Sequence, residues 1–312
     1  MSDVDSDLPA GVLAEDLCAD AGYFLRGAQL LEAGRSPWQR YEVWDTPRFG
    51  RLFRLDGCFM TSERDEFHYH ENLIHVPGIA HPGPRSVLII GGGDGGSAEE
   101  LLKYPSMERI VLAELDERVV DLSRRYLQAV HHGALDDPRV AIRIGDGMKY
   151  VREDGPAAGE RYDMIVLDLT DPDTPAFHLY SEEFFRMCQR ILKPGGMLTL
   201  HLGSPVYQPE TVRKNATNLR KVFRHVAPLS LFIPLYGSLW CLAVASDSID
   251  PRSIPVDTIA QRMSDRRIGG LSYYYPAMHP AVFTLPLFVQ ELTQPPSSTA
   301  GSVARVPQLR AA

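Results

Sequence analysis

From residue 86 onward the chain alternates short apolar runs with longer amphipathic ones. The runs at 87–90, 109–115, 140–144, 162–167 and 197–202 have the length of strands. The run at 162–167 is apolar enough to be buried on both faces of a sheet. Helical spacing fills the intervals at 98–104, 117–130, 181–192 and 210–223. In the third of these, Phe184, Cys188, Ile191 and Leu192 share one face, and Pro194-Gly195-Gly196 ends the helix. Two late strands are expected near 229–233 and 239–246. Strands alternating with helices predict an α/β protein with a Rossmann-like, doubly wound, mostly parallel sheet.

Upstream the rhythm differs. Aromatic-rich runs at 41–44, 51–55 and 58–61 read as antiparallel strands, with Asp56-Gly57 as a two-residue hairpin turn. Three short strands rarely stand alone, so this small domain is expected to lean on the main domain or on another subunit. The expected layout is a loosely ordered stretch over 1–20, an N-terminal β domain over 21–80 and a catalytic domain over 81–294 that opens on His81-Pro82-Gly83-Pro84. A Pro/Ser/Ala-rich disordered tail is expected over 295–312.

Composition narrows the chemistry. The formal net charge of −8 and the lack of a long basic cluster argue against nucleic acid as a partner and favour cationic small molecules. The four cysteines, Cys18, Cys58, Cys188 and Cys241, are scattered with no CxxC pair, which fits a reducing cytoplasm better than a disulfide framework or a zinc site. The acidic start Met1-Ser2-Asp3-Val4-Asp5 and the absence of any apolar run of ~20 residues predict a soluble protein without a membrane span.

The most informative feature is Gly91-Gly92-Gly93-Asp94-Gly95-Gly96, between the first strand of the main domain and its helix. Such a loop brings backbone against a nucleotide. Asp94 makes a pyrophosphate a poor guest and an ammonium a good one, since like charges about 4 Å apart cost roughly 1 kcal/mol in water and about 4 kcal/mol near a protein surface. Other carboxylates fall at the ends of the following strands, where open α/β sheets bind ligands. Glu114 has the spacing to accept both hydroxyls of a ribose. Asp146-Gly147 stands where an adenine amino group could be held, or where Asp146 merely caps the next helix. Asp168-Leu169-Thr170-Asp171-Pro172 offers two carboxylates able to hold a protonated amine and take its proton, or alternatively an Asx-turn and a cap. In the run 63–71, helical spacing puts Glu66, Tyr69 and His70 on one side. The dispersed histidines do not indicate a metal. A dehydrogenase, an S-adenosylmethionine-dependent methyltransferase and a non-catalytic polyamine-binding protein all remain open on these residues alone.

Taken in order, the motifs resemble those of the polyamine aminopropyltransferases, the spermidine synthase family. The matching pieces span Gln39 to about Leu292. They are Leu55-Asp56-Gly57, Thr61-Ser62-Glu63-Arg64-Asp65-Glu66-Phe67, Tyr69-His70-Glu71, the glycine loop, Glu114-Leu115-Asp116, Gly145-Asp146-Gly147, Asp168 with Thr170-Asp171-Pro172, Tyr236-Gly237 and Tyr273-Tyr274 with His279. The resemblance implies N-terminal strands plus a Rossmann-like catalytic domain in a homodimer or homotetramer. It also implies decarboxylated S-adenosylmethionine as co-substrate, methylthioadenosine as product, a polyamine acceptor and no permanently bound cofactor. By residue match Gln39, His70, Gly91, Gly93, Asp94, Glu114, Asp146 and Gly147 would hold the donor. Asp168 would be the base, aided by Tyr69, with Asp171 and Tyr236 steadying the acceptor. Two features depart from the family pattern: Leu169 where Ser is usual, and His201-Leu202-Gly203-Ser204-Pro205, which lacks the acidic or Gln residues several spermidine synthases place near the acceptor. Both bear on which amine is accepted: putrescine or a longer polyamine.

Overall fold

Successive residues of the central strands serve opposite faces of the sheet, and this alternation builds two hydrophobic layers at once. Along β7 (Ser86–Gly91), Val87 and Ile89 join one layer while Leu88 and Ile90 join the other. β8 (Arg109–Glu114) and β10 (Tyr162–Asp168) divide their side chains in the same way. With β9 (Val140–Ile144), β11 (Leu192–Gly203), β12 (His225–Ile233) and β13 (Ser238–Ser246) they form a seven-stranded sheet of order β12-β13-β11-β10-β7-β8-β9. β13 runs antiparallel to both its neighbours and the remaining pairings are parallel. This is the Rossmann-like, methyltransferase-like architecture that the alternation predicts. The computed structural model describes residues 9–170 and 175–294. The expected tail at 295–312 lies outside them, as does Asp171.

The N-terminal region is richer in strands than its sequence suggests. β1 (Val12–Cys18) and β2 (Ala21–Arg26) form a hairpin, and β3 (Gln29–Arg35), β4 (Arg40–Thr46), β5 (Gly50–Leu55) and β6 (Cys58–Ser62) form a four-stranded antiparallel sheet. Residues 12–18 therefore correct the expectation of looseness over 1–20: pairing with β2 buries Leu13 completely. β2 alternates between half-buried and exposed positions and β3 is a largely exposed edge strand, so neither carries the continuous apolar run of a buried strand. The Asp56-Gly57 turn has the expected form, with positive φ at both residues joining β5 to β6.

Helix α1 (Glu66–Ala80) falls within the span expected for the β domain, yet it packs on the central sheet through Leu73, Ile74, Val76 and Ile79. It is tied at both ends. Asp65 accepts the backbone N–H of Leu235 at 2.7 Å, and Arg262 and Arg266 donate to the carbonyls of Gly78, Ile79 and Ala80. In the middle, buried Glu71 accepts three successive backbone N–H groups, those of Ser272, Tyr273 and Tyr274, at 2.6, 2.8 and 2.7 Å. The N-terminal sheet packs separately, placing Tyr41, Val43, Phe53 and Leu55 on Val119 and Leu122 of helix α3 (Glu117–Tyr126). No helix among the described residues is long and apolar enough to cross a membrane.

Because charged acceptors of buried amide protons contribute about 1.5–3 kcal/mol each and their loss strands the donors, Glu71→Ala is expected to lower unfolding stability by roughly 3 kcal/mol or more. Urea denaturation of the two proteins measures it.

Candidate active site

Strand order reverses between β7 and β10, and at this switch point the carboxyl ends of the strands diverge to leave a crevice. Gly91 pairs with Asp168 across the two strands, and the N–H of Gly92 donates to the Asp168 carbonyl at 2.8 Å. Gly91 has φ +79°, and a Cβ there would run into that carbonyl, so only glycine serves. A cavity of about 480 Å³ opens at this point, within the range of small-molecule sites. Gln39, Tyr69, His70, Gly91, Gly93, Asp94, Glu114, Asp146, Gly147, Asp168 and Tyr236 all line it. The residues singled out from the sequence thus converge, with Asp171 outside the described residues.

At the centre one imidazole faces three carboxylates. His70, 2% exposed, bonds Glu66 Oε2 through Nδ1 at 2.7 Å, and its Nε2 lies 3.5 Å from Asp94 Oδ2 and 3.9 Å from Asp168 Oδ2. Burial disfavours a charged ring, but Asp94, the Glu66 hydrogen bond and Asp168 outweigh it and push His70 up to about 10. The ring is therefore an imidazolium at neutral pH. Asp168 is governed first by burial; His70 counteracts it and Asp94 adds to it, leaving its carboxyl at about 6. Ser97, at the start of α2 (Gly96–Leu102), donates its hydroxyl to Asp168 at 2.6 Å. Tyr69 lies beside Asp168 with a buried hydroxyl that has no partner in bonding geometry. Burial and the Asp168 charge hold that phenol well above its usual range, so it stays protonated.

At the β8 end, Glu114 divides its carboxylate: Oε2 accepts the N–H of Gly93 at 3.2 Å and Oε1 that of Asp116 at 2.9 Å. Burial, opposed by these amides, raises it to about 7. Asp116 caps α3 and also accepts Ser36 Oγ at 2.6 Å and Gln39 Nε2 at 3.0 Å, which latches the N-terminal sheet onto the nucleoside end of the crevice. Gln39 thus lines the cavity with its amide turned to Asp116. Asp146 realises the capping role, its Oδ1 accepting the Met148 N–H at 2.8 Å.

The opposite end is aromatic. Tyr236 donates to the Met60 carbonyl at 2.9 Å, and its ring packs near Tyr69 and Trp240. His201 lies within 3.0 Å of the Leu169 carbonyl through Nε2, and Tyr180 Oη is 2.6 Å from the same nitrogen. The Nδ1 of this ring is buried and has no hydrogen-bond partner. Burial lowers this ring to about 4, which keeps it neutral. Trp240 stacks on it with its own indole N–H unpartnered. Sequence reasoning did not give a role to Ser97, Ser36, His201 or Trp240. The serines carry no pattern that forecasts a partner 71 or 80 residues away.

A nucleoside-type fold with an anionic crevice defines the class, and comparison supplies the family. The profile of the spermine/spermidine synthase domain matches residues 66–253. A polyamine aminopropyltransferase of Nitrosomonas europaea is 46% identical over 292 residues, covering 94% of this chain and 89% of that protein. One from Thermoanaerobacter pseudethanolicus is 40% identical over 275 residues, covering 86% and 94%. The crystal structure of a spermidine synthase in complex with the transition-state analogue AdoDATO superposes with a TM-score of 0.83 at 35% identity, covering 90% of this chain and 94% of that one. The chain therefore belongs to the spermine/spermidine synthase family of polyamine aminopropyltransferases.

A carboxyl raised by burial costs the folded protein whenever it is ionised. Below its folded value of about 7 Glu114 is protonated and the cost fades. Glu114→Gln cannot ionise but turns its NH2 toward one of the two amides, so its melting temperature relative to the native, ligand-free protein is expected to be higher at pH 8 than at pH 5.5. Calorimetry at pH 8 and pH 5.5 checks the sign.

Proposed function

We propose that this enzyme transfers the aminopropyl group of decarboxylated S-adenosylmethionine to a polyamine, putrescine by preference, and releases methylthioadenosine. What carries the reading is the meeting of Asp94 and Asp168 in one cavity with Glu114: an ammonium-binding carboxylate and a base, placed beside a ribose-binding carboxylate. Glu114 would accept the ribose hydroxyls, with Gln39, Asp146 and the backbone at Gly91, Gly93 and Gly147 closing around the nucleoside. Asp94 would meet the ammonium tail, with His70 behind it 3.5 Å from the Asp94 carboxylate.

In the reaction, the acceptor nitrogen donates its lone pair to the carbon next to the sulfonium, the C–S pair returns to sulfur as a neutral thioether, and the proton on nitrogen passes to Asp168. A primary alkylamine with a pKa near 10.4 costs roughly 4–5 kcal/mol to deprotonate at pH 7. General-base assistance offsets part of this, by roughly 10²–10⁴-fold. Alignment of two bound substrates is the larger contribution, up to about 7–11 kcal/mol. Asp168 at about 6 is ionised at neutral pH and still basic enough to take a proton. Tyr69, held protonated, would orient that carboxylate rather than act as a base. Asp171 and Tyr236 would steady the acceptor's far end. A longer polyamine is the second reading, favoured by the aromatic wall of Tyr236 and Trp240. We further infer a cytoplasmic enzyme, supported by four free cysteines, and a homodimer or homotetramer, supported by Phe24 and Leu30 exposed on the N-terminal strands.

Incubation with the decarboxylated donor and a panel of amines, with products identified by mass, should yield spermidine from putrescine. No methylthioadenosine with any amine would refute the activity. Asp168→Asn is expected to retain donor binding in calorimetric titration while turnover falls at least 10²-fold. In Asp94→Asn the preference for the decarboxylated donor over intact S-adenosylmethionine, measured by competition, should collapse; an unchanged ratio would remove Asp94 from the donor's tail.

A further inference from the structure

Glu66 is left without a task by this chemistry, although it opens α1 one turn before His70 and shares its face. Its Oε2 accepts the His70 Nδ1 proton at 2.7 Å, while Nε2 points at Asp94 and Asp168, 3.5 and 3.9 Å away. All three neighbours are carboxylates, so every hydrogen bond open to this ring requires the ring to donate. Gly96 backs the imidazole so closely that a Cβ there would overlap the ring, which denies it an alternative pose. One ring nitrogen of His70 and one carboxylate oxygen each of Asp94 and Asp168 lie within 4.8 Å of one another, so a single positive charge serves both carboxylates.

We propose that Glu66 is a positioning residue that holds His70 as a doubly protonated bridge between Asp94 and Asp168, so that the base stays ionised inside a crowded anionic crevice. The proposal rests on the reading of Asp168 as base. The titratable groups facing the ring are Glu66 and Tyr69 from α1, Asp94 from the glycine loop and Asp168 from the end of β10; α2 contributes only Gly96 and Ser97. Without the Glu66 charge, the imidazolium loses the one carboxylate that neither substrate is read as contacting. A neutral His70 would then leave Asp94 and Asp168 as unshielded like charges, and Asp168 would take up its proton at higher pH.

The test is Glu66→Gln, which preserves length and a hydrogen-bond acceptor while removing the charge. The acid limb of its kcat/KM profile should move to higher pH by half a unit or more. The free amine ionises identically for both enzymes, so the displacement belongs to the protein. Glu66→Asp should lie between the two. A second reading needs no turnover: nitrogen-15 chemical shifts of the His70 ring in substrate-free protein. The native ring should stay doubly protonated from pH 6 to 9, and that of Glu66→Gln should titrate within this window. A native ring that is singly protonated at pH 7, or a variant ring and acid limb both unmoved, would overturn the proposal. If the protein transferred no aminopropyl group at all, the ring shifts would still decide the point. Should Glu66→Gln not fold, Glu66→Asp and the native ring give the same decision.

Discussion

The crevice depends on one buried cation. Three carboxylates crowd within hydrogen-bonding or near-bonding distance of the His70 imidazolium, and without it their mutual repulsion would act in a poorly solvated space where like charges are expensive. The backbone around it is shaped accordingly. The glycine loop comes within a Cβ's width of the ring and of the Asp168 carbonyl, and α1 delivers Glu66, Tyr69 and His70 from one side. The anchoring of α1 by Asp65, Glu71, Arg262 and Arg266 then has a clear purpose: the helix carries the charge balance of the site and is held along its whole length.

Much of this was legible in the sequence, for a physical reason. Buried parallel strands must be apolar on both faces, so β7, β8, β10 and β11 stand out as apolar runs, and their carboxyl ends are where polar residues become conspicuous. Glu114, Asp146 and Asp168 could be placed on one edge from that pattern alone. The N-terminal strands could not, since β2 and β3 expose much of their length and β1 owes its order to its partner in the hairpin. The pairing of side chains was equally hidden. Nothing local forecasts that Ser97 bonds Asp168, or that Gln39 turns to Asp116. Asp146 shows the converse limit, its capping geometry and its place in the cavity being compatible readings of one residue.

The two ends of the crevice use different physics. One is built of carboxylates and backbone amides and suits a nucleoside with a charged tail. The other is a wall of rings in which His201 is kept neutral by burial and hydrogen-bonded to a backbone carbonyl. There the Nδ1 of His201 and the indole N–H of Trp240 are both buried among the rings without a hydrogen-bond partner.

The latch of Ser36 and Gln39 on Asp116 has a wider consequence. Asp116 gives one oxygen to the cap of α3 and the other to a different lobe of the protein, while its own amide supports Glu114. Any hinging of the small lobe is thereby passed through Asp116 to the Glu114 carboxylate at the β8 end of the cavity. Changes in the outer strands therefore reach the cavity first at its β8 edge, through one shared carboxylate, rather than at Asp168 on β10.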